Sequence, residues 1–536
     1  MFARAKRTNA TVEARRRREP TRRRQKGSGK TSPVTWASRP SVRRQHGQDA
    51  RVTVAHSLFL FSASALRASA PPRLHFDSFG LVLLICLAVV PAVLAQDQSR
   101  KPNILLILAD DLGYADVGFT GRKEWPTTNL DRLARDGTIF RRFYTAGVVC
   151  APARAALMTG RYGIHNGVTG NSSLDLPADE ITIAEALKPA GYATGLFGKW
   201  HHGGPRPGAD KYTHPMDQGF DEFFGFTNAT AAHQKFPKKL WDGRAEKESS
   251  GYSESLFTDR AIDFLTRQKQ ANQNFFCYVP YTNPHSRIEA LEEDVARFKG
   301  KFQEKDPNQP LNATYAAMVY RLDVEIGRLL AAVDKLDLAR DTIVIFTSDH
   351  GATFERLQYG TANFHDSNAP FRGQKRTLWE GGMRVPTAIR WPGKIPAGKT
   401  SDAVLHFNDV LPTLCVAAGV ERKPEWKLDG VNVLDVWQGK SPAPDRTLFW
   451  EWREGGDTQL AAMSGDLKLL INGGNQPELY NVATDPGERR MIDEEFPAKT
   501  KALTAALEQW LATESESAKQ RRKTVTQKGA AGAAGE

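Results

Sequence analysis

The chain has 536 residues, 40% hydrophobic and 25% charged, which describes a globular protein large enough for one big domain and a smaller one. Wholesale disorder and a polytopic membrane protein are excluded. The formal charge of +12 points to nucleic acid only until it is located. Residues 1–78 hold 18 Lys/Arg against 4 Asp/Glu, a local +14 that leaves −2 for the rest, so no nucleic-acid partner is expected.

Residues 1–78 read as a disordered basic segment, with the runs Arg15–Arg18 and Arg22–Arg24 and little that could build a core. An apolar run from Gly80 to Ala95 follows, with small residues at its end, which predicts a signal peptide over 79–95 rather than a stable membrane anchor. An exported chain, periplasmic or extracellular, is the expectation, with a mature start near Gln96. The long stretch ahead of the export signal suggests translated upstream sequence, with the true start near Arg73. Of the four cysteines, Cys86, Cys277 and Cys415 lie in apolar or periodic surroundings that predict burial.

From Lys101 the chain alternates short apolar runs with helical patterns, which predicts an α/β sheet covered on both faces. Asn103–Ala109 is a strand-length apolar run ending in Asp110-Asp111. Tyr192–Gly198 ends in Lys199-Trp200-His201, Phe275–Tyr281 runs into Asn283-Pro284-His285, and Thr342–Ser348 ends in Asp349-His350. Ligands of open α/β sheets bind beyond the carboxyl ends of the strands, so these endings predict one crevice. The pattern from Ala316 to Val333 is a crossover helix facing that sheet. The domain is expected over 101–430. Strand candidates at 447–452, 460–463 and 467–471, then a helix over 498–511, predict a smaller antiparallel-sheet subdomain over 431–515. A disordered tail is expected from 516.

Cys150 opens the segment Cys150-Ala-Pro152-Ala-Arg154, and Gly160 closes it. Pro152 suits a first helical turn and Gly160 an end, so Cys150 is placed at a helix N-terminus, where amide N–H groups favour anions. Arg154 adds a planar cationic fork. Asp110, Asp111 and Asp349 are hard oxygen ligands suited to Ca²⁺ or Mg²⁺. A divalent ion surrounded by Lys199, Arg154 and Lys375 describes a site for a phosphate or sulfate ester.

The stretch from Cys150 to Gly160, with Gly191–His201, Leu108–Gly113, Gln218–Gly225, Thr347–Gly351, Gly373–Pro386 and Pro477–Glu488, resembles the type I, formylglycine-dependent and arylsulfatase-like sulfatases. The likeness covers nearly everything from Lys101 to about residue 510. It implies an alkaline-phosphatase-like α/β fold, with a mixed, mostly parallel sheet between helices. It further implies that a maturation enzyme converts Cys150 to formylglycine, and that one Ca²⁺ is held by Asp110, Asp111, Asp349, His350 and residue 150. The formylglycine hydrate would attack sulfur beside Arg154. Lys199, His285 and Lys375 would hold the sulfate, with His285 or Lys375 protonating the leaving group and His201 accepting the final proton. His202, His214, His233 and His365 are expected on the surface or the substrate side. The implied substrate is a sulfated small molecule or glycan. A phosphate or phosphonate ester hydrolase on the same fold, or an inactive carbohydrate-binding paralogue, are the rival readings.

Overall fold

The computed structural model describes residues 101–171, 175–204, 212–354, 359–454 and 457–522. Cys86 and the expected basic segment and signal peptide lie outside them. Sixteen strands are present among the described residues. In chain order they are β1 (Asn103–Asp110), β2 (Thr138–Phe140), β3 (Phe143–Tyr144), β4 (Ala193–Lys199), β5 (Glu222–Phe226), β6 (Lys239–Asp242), β7 (Ala245–Glu248) and β8 (Phe275–Pro284). They continue with β9 (Thr342–Ser348), β10 (Ala388–Arg390), β11 (Lys399–Ser401), β12 (Leu405–His406), β13 (Thr447–Glu454), β14 (Asp457–Ser464), β15 (Leu467–Asn472) and β16 (Glu478–Asn481). Ten of them form the main sheet in the order β11-β2-β10-β9-β1-β8-β4-β5-β6-β7. The central five, β9-β1-β8-β4-β5, are all parallel, and β10, β6 and β7 join antiparallel.

β1 shows why its sequence is continuously apolar. Ile104, Leu106 and Leu108 enter one core, shared with the helices Cys150–Thr159 and Val410–Ala417. Leu105, Ile107 and Ala109 enter the other, shared with the helices Ser253–Gln270 and Leu311–Lys335. A strand covered on both faces cannot alternate apolar with polar. Each such Leu or Ile is wholly buried and contributes about 1.5–3 kcal/mol relative to exposure. β4 approaches β8 closely at Gly198, whose φ is +142° and where a Cβ would lie 2.1 Å from Pro280 O, so only glycine fits.

β13–β16 form the expected separate antiparallel sheet, joined by the helix Pro497–Ala512. Two expectations need correction. Val433, Val436 and Trp437 pack into a core of the large sheet, so the large domain runs past the expected boundary at 430. The tail does not begin at 516: residues 516–522 are helical, Ala518 is buried, and Arg521 donates to Asp175 O at 2.6 Å. The reason is packing of this segment back onto the body, which composition does not reveal. Among the described residues no helix is long and apolar enough to cross a membrane.

Candidate active site

The four expected strand ends meet, because β9, β1, β8 and β4 are parallel neighbours. Asp110 is the last residue of β1. Asp111 follows with φ of +60°, a left-handed conformation uncommon for a residue with a side chain. That turn breaks strand alternation, so two successive carboxylates face one crevice instead of opposite faces of the sheet. Ligand atoms of Asp110, Asp111, Cys150 and His285 lie within 4.8 Å of one another, as do those of Cys150, Asp349 and His350.

The helix Cys150–Thr159 begins at Cys150, as its Pro and Gly predict, and Gly160 ends it in the left-handed region (φ 67°). Asn171 Oδ1 accepts from the free first-turn amide of Ala151 at 2.9 Å. Cys150 Sγ lies 3.6 Å from Asp110 Oδ1 and 3.3 Å from His350 Nε2. One turn on, Arg154 is buried and donates from Nε and Nη2 to Asp349 Oδ2 at 3.1 and 2.9 Å. Its Nη2 also lies 3.1 Å from Asp110 Oδ1, and its Nη1 donates to Lys199 O at 3.3 Å.

Each carboxylate therefore has a cation. Lys199 Nζ donates to Asp110 Oδ2 at 2.7 Å, and Lys375 Nζ lies 3.0 Å from both oxygens of Asp111. Three Asp and three cations cancel formally, in a site where every one of them is buried. Burial raises the Asp110 carboxyl, but Lys199 and Arg154 outweigh it and hold the group well below its ordinary range. Asp111 behaves oppositely. Burial, with Asp110 and Asp349 pushing the same way, overcomes Lys375 and raises it. Burial pushes the Cys150 thiol far up.

His285 lies against this cluster, its Nε2 at 3.2 Å from Lys375 Nζ and 3.5 Å from Asp111 Oδ2. Its Nδ1 faces Ser286 O at 3.0 Å. A carbonyl only accepts, so Nδ1 carries the hydrogen, and in the neutral ring Nε2 accepts from Lys375. Burial, then Lys375, holds the imidazole well below its ordinary value, so neutral is its state at pH 7. His201 follows β4 with φ of +79°. Burial and Lys199 hold it low as well, and its buried Nδ1 has no hydrogen-bond partner among the described residues. Its ring lies 5.9 Å from that of His202, and Lys199, Arg154 and Asp110 all act on its charge.

Other histidines depart from expectation. His202, His214 and His365 are buried rather than on the surface. Each fills an aromatic pocket: His202 against Trp200, His214 against Phe223 and Trp241, His365 between Trp125 and Phe302, where its Nε2 donates to Asn312 O at 3.0 Å. His233 is half-buried and stacks on His285.

Comparison with known proteins decides the family. The profile "Sulfatase" matches residues 102–420, more than half of the chain, and "N-sulphoglucosamine sulphohydrolase, C-terminal" matches 372–517. The chain belongs to the sulfatase family. N-acetylgalactosamine-6-sulfatase of Canis lupus familiaris is 33% identical over 408 residues, 70% of this chain and 72% of that protein. Arylsulfatase G of Rattus norvegicus is 30% identical over 404 residues, 67% and 73% of the two chains. The crystal structure of Ps i-CgsB in complex with k-i-k-neocarrahexaose superposes with a TM-score of 0.71 at 31% identity, covering 78% of this chain and 94% of that one. Phosphonate monoester hydrolase of Agrobacterium radiobacter, at TM-score 0.57 and 21% identity over 77% and 96% of the chains, shares the fold alone. This sulfatase is thus a sulfuric ester hydrolase with an alkaline-phosphatase-like fold, as its motifs imply.

Proposed function

We propose that this sulfatase releases inorganic sulfate from a carbohydrate sulfate ester, with Cys150 matured to formylglycine and one Ca²⁺ bound. The observation that carries the reading is the convergence of three carboxylates, Cys150 and three buried cations at adjacent strand ends. The donor set suits a hard divalent ion: Asp110, Asp111, Asp349, His350 and residue 150 would hold it. The raised Asp111 carboxyl supports this, because carboxylates crowded in a buried site are relieved by a cation. When bound, Ca²⁺ supplies electrostatic stabilisation of developing negative charge, and formylglycine supplies a hydrated aldehyde as an oxygen nucleophile with a second hydroxyl for release.

The chain's own residues supply the rest. Arg154, fixed by Asp349 and Asp110, orients residue 150 from one turn further along its helix. Lys199 and Lys375 are placed to hold the sulfate oxygens as charge-assisted donors. The Lys375–His285 pair, 3.2 Å apart, passes a proton to the bridging oxygen as the S–O bond breaks, so the alcohol leaves neutral. His201, held neutral with an unpartnered Nδ1, is set to accept a proton. An unmodified thiol is a poor substitute, since burial keeps it protonated. Cys150 is 1% exposed, so the maturation enzyme must act before the chain folds. Export to the periplasm or the extracellular space belongs to the same reading and rests on the apolar run 80–95.

Carbohydrate is favoured as the alcohol because N-acetylgalactosamine-6-sulfatase and a structure holding neocarrahexaose are among the relatives above 30% identity. Sulfate release from a panel of sulfated mono- and oligosaccharides, paired with mass spectrometry of the Cys150 peptide, tests the reading. Turnover with only an unmodified thiol at Cys150 would sink the formylglycine assignment. Turnover of aryl sulfates but no sugar sulfate would sink the substrate class.

A further inference from the structure

We infer that His233 is a positioning residue: its imidazole, anchored through Lys235, fixes the ring of His285. The inference rests on the reading above, in which the Lys375–His285 pair protonates the leaving alcohol. His233 ends the single turn Ala231–His233, and its ring stacks on that of His285 with centroids 4.9 Å apart and planes at 29°. The His285 ring is tied within its own plane by Ser286 O at Nδ1 and Lys375 Nζ at Nε2. Neither contact stops the ring from tilting out of that plane. A second flat ring against its face does.

The segment bearing His233 is built to hold this position. Arg287 N donates to His233 O at 3.3 Å, and Ser253 N donates to Lys235 O at 2.9 Å. Lys235 is fully buried, and its Nζ donates to Thr282 O at 2.6 Å and to Thr282 Oγ1 at 3.0 Å. From the other side, Glu254 Oε1 accepts from Thr282 N at 3.0 Å and from its hydroxyl at 2.6 Å. Residues 231–235 therefore grip β8 at 282 and the segment just after it at 285 and 287, on both sides of the histidine that works. Burial and the nearby Lys199 push His233 down to about 4, so two neutral rings stack without like-charge repulsion.

The test uses the matured full chain and two substrates. One is 4-nitrophenyl sulfate, whose phenolate leaves without a proton; the other is a sugar 6-sulfate, whose alkoxide does not. His233→Ala should lower kcat on the sugar sulfate by about 10- to 100-fold and change the aryl rate little. His233→Phe, which keeps the stacked face, should restore most of the loss. In a His285→Ala background, His233→Ala should cost nothing further. If His233→Ala does not fold, His233→Gln, with the bulk but no ring, takes its place. Equal losses on both substrates, a Phe variant no better than Ala, or additive losses in the double variant would overturn the inference. A His285→Ala variant with no leaving-group dependence would instead overturn the reading beneath it, and the two failures are distinguishable.

Discussion

Arg154→Lys isolates what the guanidinium contributes beyond its charge. Arg154 makes four polar contacts from a buried position: two to Asp349 Oδ2, one to Asp110 Oδ1 and one to the Lys199 carbonyl. A lysine keeps the formal charge, yet its single ammonium is not planar and cannot bridge two carboxylates held on different strands. At least two charge-assisted bonds are lost, each contributing about 1.5–3 kcal/mol. If that loss falls on the geometry of residue 150 in the transition state, kcat/KM should drop by about 10²- to 10⁴-fold. The assay is initial-rate sulfate release by matured enzyme, with thermal melting to confirm that the variant is folded. A folded Arg154→Lys enzyme within about threefold of the wild-type kcat/KM would refute the argument that the fork, rather than the charge, matters.

Asp349→Ala should abolish stoichiometric Ca²⁺ measured by elemental analysis of purified protein, along with activity, while Asp323→Asn keeps both. Lys468 is wholly buried between Glu488 Oε1 at 2.7 Å and Glu380 Oε1 at 3.1 Å, so Lys468→Met removes the cation the two buried carboxylates share and leaves Glu488 with only the Glu380 N–H. A loss of about 3–5 kcal/mol is expected at pH 8. The loss should be smaller at pH 5.5, because burial already lifts the Glu488 carboxyl to about 7 and protonation relieves the pair; calorimetry at the two pH values checks this. Asp323 accepts from the N–H groups of Asn129 and Leu130, but burial outweighs them and raises its carboxyl to about 6. A raised acid stabilises the fold below its unfolded pKa near 4, and that stability is lost as pH climbs through 6. Between pH 4 and 7, Asp323→Asn should therefore gain up to about 3 kcal/mol relative to wild type by denaturant titration; parallel curves would reject it.

Legibility in the sequence followed burial. β1, β8 and β9 are readable because both faces are covered, and their polar ends stand out against the apolar runs. β4 is found one residue later than its pattern suggests, since its glycines answer to backbone approach rather than to hydrophobicity. β6 and β7 have exposed, charged residues at one sheet edge and leave no periodic signal beyond the turn at Gly243. β16 is four residues long and joins only an existing sheet. In the site, Asp110, Lys199 and Asp349 are readable as strand ends and Cys150 as a helix start. His285 is readable just past the end of the β8 run, while Lys375 lies on a loop and is legible chiefly through the family motif Gly373–Pro386. His233 and Lys235 carried no signal that named their role, because one short turn and a buried lysine look like ordinary loop chemistry until β8 is seen beside them.

The charge pattern ties these results together. A lone buried Asp or Lys is too costly to keep ionised, and this site buries three Asp, two Lys and one Arg within one crevice. They are tolerable because they come from elements that rigid packing brings together: the ends of three parallel strands, one buried helix and the loop before Glu380. The pairing is also specific, Lys199 with Asp110, Lys375 with Asp111, and Arg154 bridging Asp110 and Asp349. Asp110 is shared by Lys199 and Arg154, and Arg154 by Asp110 and Asp349, so removing one member shifts the balance on the others and substitutions here should act on the whole set rather than one contact at a time. A formally neutral cluster that takes up a divalent ion acquires a net charge of +2. That excess is what an anionic ester needs from a dry, enclosed site, and it arises only if the cations stay in place when the ion binds. The strained backbone at Asp111 and His201 is the cost of holding that arrangement in one geometry.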